Sequence, residues 1–164
     1  MFDTFNGIPL HPLVVHAVVV LLPLAILGTI AIAVRPGWRG KYGPLVVGVT
    51  AVATALVPVA TASGDSLEKR VGDPGSHAAL GGQLIWFALP LLVLAVALVV
   101  LDGRSRRART RGTDERTSGS HLVTGVALLA VVAALASGVQ VFRVGDSGAR
   151  AAWGDKVGSA RPAP

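Results

Sequence analysis

The stretch HPLVVHAVVVLLPLAILGTIAIAV, residues 11–34, is an almost unbroken run of apolar side chains without aspartate, glutamate, lysine or arginine. The hydrocarbon core of a bilayer is about 30 Å thick, and about 20 helical residues cross it. The run is therefore long enough to form a membrane-spanning helix. Pro12 suits the first turn of such a helix, because its missing N–H needs no acceptor there. Pro23 predicts a bend midway along it.

Three further apolar runs of similar length follow at about 44–62, 78–101 and 122–142. Only 15% of the residues are charged, and none of these charges interrupts a run. An average soluble domain has roughly 25% charged residues, so the composition indicates a membrane protein. Short links between four spans predict an all-α, up-down four-helix bundle that forms one transmembrane domain over residues 1–164. No internal repeat is strong enough in the sequence to claim.

The basic residues of the links predict the orientation. The first and third links carry three and six basic residues, against two in the second. Because cytoplasmic links are enriched in lysine and arginine, both termini are expected outside. Residues 102–120 are then predicted to be a basic, disordered cytoplasmic loop and residues 143–164 a polar extracytoplasmic tail. The leader MFDTFNGIPL has an aspartate and no basic residue, which predicts no cleaved signal peptide.

Several kinds of chemistry have no support in the sequence. The chain has no cysteine, which excludes disulfides, iron–sulfur clusters, thiolate zinc sites and covalent haem attachment. It contains no phosphate-binding or dinucleotide-binding glycine motif and no local signature of a serine hydrolase. The topology rule explains the arginine-rich links, so no nucleic-acid partner is expected. The protein is expected not to be an enzyme on its own.

Four ionisable residues gather at the predicted outer end of the helices. His11, His16 and His77 lie where the first and third spans begin, and Asp65 follows the second span. An ionisable side chain inside a membrane helix is costly and therefore indicates a functional site. His11 precedes proline and is expected to be extended at the surface. His16 lies roughly 6–8 Å deeper, where it needs a partner in the interior.

Imidazole is a ligand of haem iron and of transition metals. His16 and His77 are predicted to bind haem b from both sides, because Gly81 leaves room beside the His77 ring for a flat macrocycle. A small transition-metal site formed by His11, His16, His77 and Asp65 stays open. Asp65 would otherwise accept a hydrogen bond that orients an imidazole, with His11 in the same outer shell. Either site indicates membrane electron transfer to a redox partner.

A structural interpretation stands beside this one. The polar residues would then only fix helix packing in a scaffold or accessory subunit without a cofactor, with a second copy of the chain open as a partner. Thr50, Thr54 and Thr61 share one helix face. They are expected to turn inward and bond across helices or back to their own carbonyls. Proton or solute transport is a third interpretation, which would need a polar path down to His121.

The chain also resembles a known family. Its opening GIPLHPLVVH, residues 7–16, is similar to the start of a bacterial predicted-membrane-protein family catalogued as a domain of unknown function, DUF2231. Further matching motifs are Ser63-Gly64-Asp65 with Glu68, His77 before the third helix, and Phe142-Arg143-Val144-Gly145 at the end of the fourth. The resemblance implies four helices in a bacterial plasma membrane. Relatives fused to Rieske-type or cytochrome-like modules imply redox work.

This sequence departs from the family pattern in two places. Many members of the similar family have a Phe-Pro pair at the position of Ala17-Val18. Many also have another histidine at the position of Asp146. The second departure leaves the role of the motif at residues 142–149 open.

Overall fold

The computed structural model describes residues 4–5, 8–72, 75–110 and 118–158. In chain order its elements are β1 Thr4–Phe5, β2 Ile8–Pro9, α1 Leu10–Val34, α2 Pro36–Val71, α3 Ser76–Gln83, α4 Ile85–Thr110 and α5 Ser118–Gly158. The two short strands pair antiparallel, with Thr4 opposite Pro9 and Phe5 opposite Ile8. Apart from this pair, the described chain is almost entirely helical.

Four helices are long and apolar enough to cross a membrane, so the predicted all-α fold with four spans is confirmed. The candidate spans are His11–Val34, Pro36–Lys69, Ser76–Ala108 and His121–Gly154. The second span begins earlier than predicted, because α2 starts directly after Arg35 with Pro36 in its first turn. Proline suits that position, so the first link is part of a helix rather than a loop.

The segment predicted to be a disordered loop and the segment predicted to be a polar tail are both helical over their described residues. The loop was predicted from Asp102, yet α4 continues to Thr110; the tail was predicted from Arg143, yet α5 continues to Gly158. Ion pairs one turn apart support both extensions: Asp102–Arg106 at 2.6 Å and Asp146–Arg150 at 2.9 Å. The other residues of the predicted loop and tail, 111–117 and 159–164, lie outside the described residues.

The third span consists of α3 and α4, which are separated at Leu84. The Leu84 N–H donates to Gly81 O at 3.1 Å, the spacing of a tighter helix, so the carbonyl of Leu80 loses its usual helical donor. The side-chain amide of Gln140 on α5 donates to Leu80 O at 3.0 Å instead. A buried glutamine therefore satisfies the carbonyl group that the break exposes.

The helices pack in a ring. α1 packs against α2 and α5, and α4 packs against the same two helices from the other side. We call the end of the bundle where α1 begins and α2 ends the histidine end, and the opposite end, with Arg39 and Asp102, the arginine end. One apolar cluster, with Leu22, Val57 and Leu91, lies toward the histidine end, and a second, with Ile32 and Leu98, lies toward the arginine end.

The predicted inward threonine face is confirmed. Thr50 and Thr54 are buried, and their hydroxyls donate to the carbonyls of Val46 and Thr50 one turn earlier. Thr61 makes the same kind of bond to Val57. The Thr54 hydroxyl also lies 3.4 Å from Ala88 O on α4. These hydroxyls thus satisfy themselves mainly within their own helix.

Candidate functional site

His11 packs between α1 and α2 at the histidine end. Its Nδ1 lies 3.0 Å from the carbonyl oxygen of Ala60 and 3.2 Å from the hydroxyl oxygen of Ser63. The prediction of an extended surface residue is wrong, since His11 belongs to α1 and is half-buried. The two hydrogen-bond partners on α2 hold the residue in the helix despite the proline that follows it.

His77 has the same surroundings on the other side of the bundle. Its Nδ1 lies 3.1 Å from the carbonyl oxygen of Val144 and 3.4 Å from the hydroxyl oxygen of Ser147, both on α5. In each case the serine hydroxyl itself donates to the same carbonyl, Ser63 to Ala60 and Ser147 to Val144, at 2.9 Å. One arrangement of histidine, carbonyl and serine therefore occurs twice.

A glycine next to each serine lets the imidazole ring approach the helix. A Cβ atom built on Gly64 would lie 3.1 Å from Cε1 of His11, and one built on Gly148 would lie 3.0 Å from Cε1 of His77. Both distances are shorter than ordinary van der Waals contact. A larger residue at either position would therefore require the ring to shift by a few tenths of an ångström.

The hydrogen bonds determine which ring nitrogen carries the proton. A carbonyl oxygen only accepts, so Nδ1 of His11 and of His77 must donate, and Nε2 of each neutral ring holds a lone pair. Neither Nε2 has a hydrogen-bond partner among the described residues. Each ring can therefore offer Nε2 to a metal centre or to a hydrogen-bond donor.

His16 differs from the prediction. The side chain is exposed rather than interior, and Nδ1 lies 2.5 Å from the carbonyl oxygen of Pro12 in its own helix. It lies on a different face of α1 from the buried residues Val18 and Leu22. Its hydrogen bond is local and therefore does not join two helices.

The three histidines border one cavity of about 690 Å³. Small-molecule and cofactor pockets have volumes of about 300–1,000 Å³. His11, His16, His77 and Asp65 all line the cavity, so the four predicted site residues gather at one place. Glu68 is a second carboxylate in the wall, and Gly81 lies in the wall beside His77. Most other lining residues are apolar, and no described lining residue is a lysine or an arginine.

A metal site made only of protein ligands is not assembled here. Within the described parts of the chain, no group of three or more His, Cys, Asp or Glu side chains could hold a metal ion. The four-residue metal site considered from the sequence therefore has no geometric support. His121 is exposed in the first part of α5, far along the chain from the cavity-lining segment of that helix.

Sequence reasoning missed the partners of the two histidines. Ser63-Gly64 and Ser147-Gly148 repeat a Ser-Gly pair near the ends of α2 and α5. This repetition was a visible signal. It was weak because the other partner in each case is a backbone carbonyl, which any residue could supply.

The fold and the cavity define a class, namely four-helix integral membrane proteins with a histidine-lined cavity at one end of the bundle. Residues 7–161 match the profile of the family described as predicted membrane protein (DUF2231), and the chain belongs to that family. The resemblance expected from the motifs is thereby confirmed. No curated protein and no solved structure matches the chain.

Proposed function

We propose that this membrane protein binds haem b in the cavity at the histidine end and passes electrons to a membrane partner, with His11 and His77 as the axial ligands. The observation that supports the proposal is the pair of half-buried imidazoles that border one cavity, each with Nδ1 bonded and with no partner for Nε2 in the part of the chain that the structure describes. Haem iron in electron-transfer proteins is held by axial side chains of this kind.

The packing order of the helices favours this pair. His11 lies at the contact of α1 with α2, and His77 at the contact of α3 with α5. These two contacts occupy opposite sides of the ring of helices, so a flat macrocycle between them could meet one imidazole on each face. The Nδ1–H bonds to carbonyl oxygens orient the rings and make Nε2 a more basic ligand.

This pair differs from the pair His16 and His77 predicted from the sequence. His16 lines the cavity but is exposed and bonded only within its own helix, so its ring is held less firmly. His16 and Asp65 are then wall residues around the cofactor. Because the described wall offers no cation, we expect the haem propionates to leave through the opening into water.

The location of the site would suit a partner outside the cytoplasm. The basic links predict that the arginine end lies on the cytoplasmic side, and the histidine end would then face outward from a bacterial plasma membrane. An electron carrier or a redox subunit would meet the cavity there. The protein would act as a carrier of electrons, not as an enzyme on its own.

The test is an absorption spectrum of the purified protein, oxidised and then reduced with dithionite, after loading with haem. We expect the Soret and visible bands of a low-spin haem with two histidine ligands. His11→Phe and His77→Phe should each lose the low-spin spectrum, whereas His16→Phe and the control His121→Phe should keep it. A protein that takes up no haem would overturn the proposal, and loss with His16→Phe instead of His11→Phe would restore the pair predicted from the sequence.

A cofactor-free scaffold is the second candidate, because both Nδ1 bonds join neighbouring helices and could serve packing alone. In that case the protein would be colourless, and haem would not change its thermal stability. The variants His11→Phe and His77→Phe would then lower stability without any spectral change.

A further inference from the structure

We propose that the chain carries one histidine clamp twice, and that Ser63-Gly64 and Ser147-Gly148 are positioning residues that hold His11 and His77 with Nδ1 protonated and Nε2 open to the cavity. A clamp consists here of a histidine near a helix start and, on the partner helix, a carbonyl, a serine three residues later and the following glycine. The proposal rests on the proposed function only where it predicts how these serines and glycines affect a bound haem.

The two clamps match position by position. Ala60, Ser63 and Gly64 on α2 correspond to Val144, Ser147 and Gly148 on α5, with the same spacing along each helix. The Nδ1-to-carbonyl distances are 3.0 and 3.1 Å, and both serine hydroxyls donate at 2.9 Å. Chance packing of unrelated helices would not be expected to reproduce four contacts in the same order.

The serine makes the surroundings of Nδ1 accept only. Its hydroxyl hydrogen is used on the carbonyl, so the oxygen presents a lone pair to the ring. A ring with the proton on Nε2 would point the Nδ1 lone pair at the carbonyl oxygen, which repels it, and the serine could donate to that lone pair only by giving up its own bond to the carbonyl. The serine therefore adds to the preference of the carbonyl for the Nδ1–H form.

The glycine sets the distance of the ring. The contacts of 3.1 and 3.0 Å that a Cβ would make with Cε1 are so tight that alanine at either position would require the ring to move by a few tenths of an ångström. Gly145, close to Gly148 on the same helix, has nothing within 4 Å of an added Cβ. The close approach is therefore specific to the clamp glycines and is not a general property of the helix end.

The test measures the protonation of the ring nitrogens by NMR of isotope-labelled histidine in the full chain, reconstituted in lipid nanodiscs without haem. The chain has only four histidines, so single substitutions assign every signal. We expect the protonated-nitrogen signal of His11 and His77 at Nδ1. Gly64→Ala should shift the proton of His11 to Nε2 and leave His77 unchanged, and Gly148→Ala should do the reverse.

Milder variants keep the test decisive if an alanine variant does not fold. Ser63→Ala should shift the Nδ1 signal of His11 and not that of His77, and Ser63→Thr should restore it. Ser66→Ala is the matched control, because Ser66 lies on the same helix and its hydroxyl bonds within α2 to Ala62 O. Protonation of His11 or His77 at Nε2 in the unaltered protein would overturn the proposal. Clamp variants that leave the Nδ1 signals unchanged would also overturn it.

The same samples separate this proposal from the proposed function. If the protein takes up no haem but both rings are protonated at Nδ1, the clamp proposal is supported and the haem proposal is wrong. In a protein that does bind haem, Ser63→Ala and Ser147→Ala should each shift the midpoint potential upward, because a less basic imidazole stabilises the oxidised iron less. The control Ser66→Ala should leave the potential unchanged.

Discussion

Arg39 on α2 and Asp102 on α4 form an ion pair at the arginine end, with Nη1 3.4 Å from Oδ1 and side-chain exposures of only 7% and 13%. The same guanidinium donates from Nε to Ile32 O at 2.8 Å and from Nη2 to Ala33 O at 2.7 Å. These carbonyls belong to the last turn of α1, which has no helical donors of its own for them. One side chain therefore joins three helices.

Replacing Arg39 should destabilise the bundle strongly. Arg39→Ala leaves two carbonyls without their donor and takes from Asp102 one of its two arginine partners, and each buried acceptor left unsatisfied costs about 1–3 kcal/mol. Chemical unfolding in detergent micelles, followed by circular dichroism, measures the loss. The control Arg104→Ala changes an exposed arginine and should cost less than about 0.5 kcal/mol. Equal losses in both variants would contradict the assigned role of Arg39.

The close contact of α2 with α4 depends on a glycine. A Cβ on Gly43 would lie 2.7 Å from Cγ2 of Val99, so Gly43→Ala should cost about 1–3 kcal/mol through overpacking. Adding Val99→Ala should recover part of this cost. Gly48→Ala is the control, since nothing lies within 4 Å of its Cβ, and the gain in helix propensity should stabilise the protein by roughly 0.5–1 kcal/mol. Thermal unfolding of the four proteins tests the series.

The break in the third span should depend on Gln140. Gln140→Leu removes the donor to Leu80 O and leaves a half-buried carbonyl unsatisfied, at a cost of about 1 kcal/mol or more. The same change at the exposed Gln83, on the same span, should have little effect. Unfolding free energies of the two variants provide the comparison. If Gln83→Leu proved as harmful as Gln140→Leu, the hydrogen bond would not be the cause.

The orientation of the bundle can be tested with single cysteines, because the chain has none of its own. Ser76 is exposed at the histidine end and Arg107 at the arginine end. In intact cells, Ser76→Cys should react with a membrane-impermeant maleimide, and Arg107→Cys should react only after the membrane is permeabilised. The opposite labelling pattern would invert the predicted topology.

The sequence predicts the fold well and the helix ends poorly. Runs free of charged residues determine the number of spans. The hydrocarbon core disfavours charged side chains whichever helices pack beside the span. The ends of α4 and α5 instead depend on side-chain pairs such as Asp102–Arg106 and on neighbouring helices. A polar segment carries no comparable signal for where a helix ends.

The site was only partly predictable for a related reason. Membrane depth brought His11, His16, His77 and Asp65 to one end of the bundle, and they line one cavity. The role of His11 was hidden because the rule for residues before proline favours an extended backbone, whereas contacts with Ala60 and Ser63 override that preference. Contacts between distant parts of the chain decided which imidazole is held, and periodicity does not report them.

Each histidine clamp closes within one half of the chain: His11 on α1 with α2, and His77 on α3 with α5. Since a nascent chain delivers its N-terminal part first, the first imidazole can be seated before the second half has left the ribosome. The two halves then join through the packing of α1 against α5 and of α2 against α4, with Asp102 on Arg39 and Ala88 on Thr54. Each wall of the cavity can thus form within its own half of the chain, and the cavity closes when the two halves pack together.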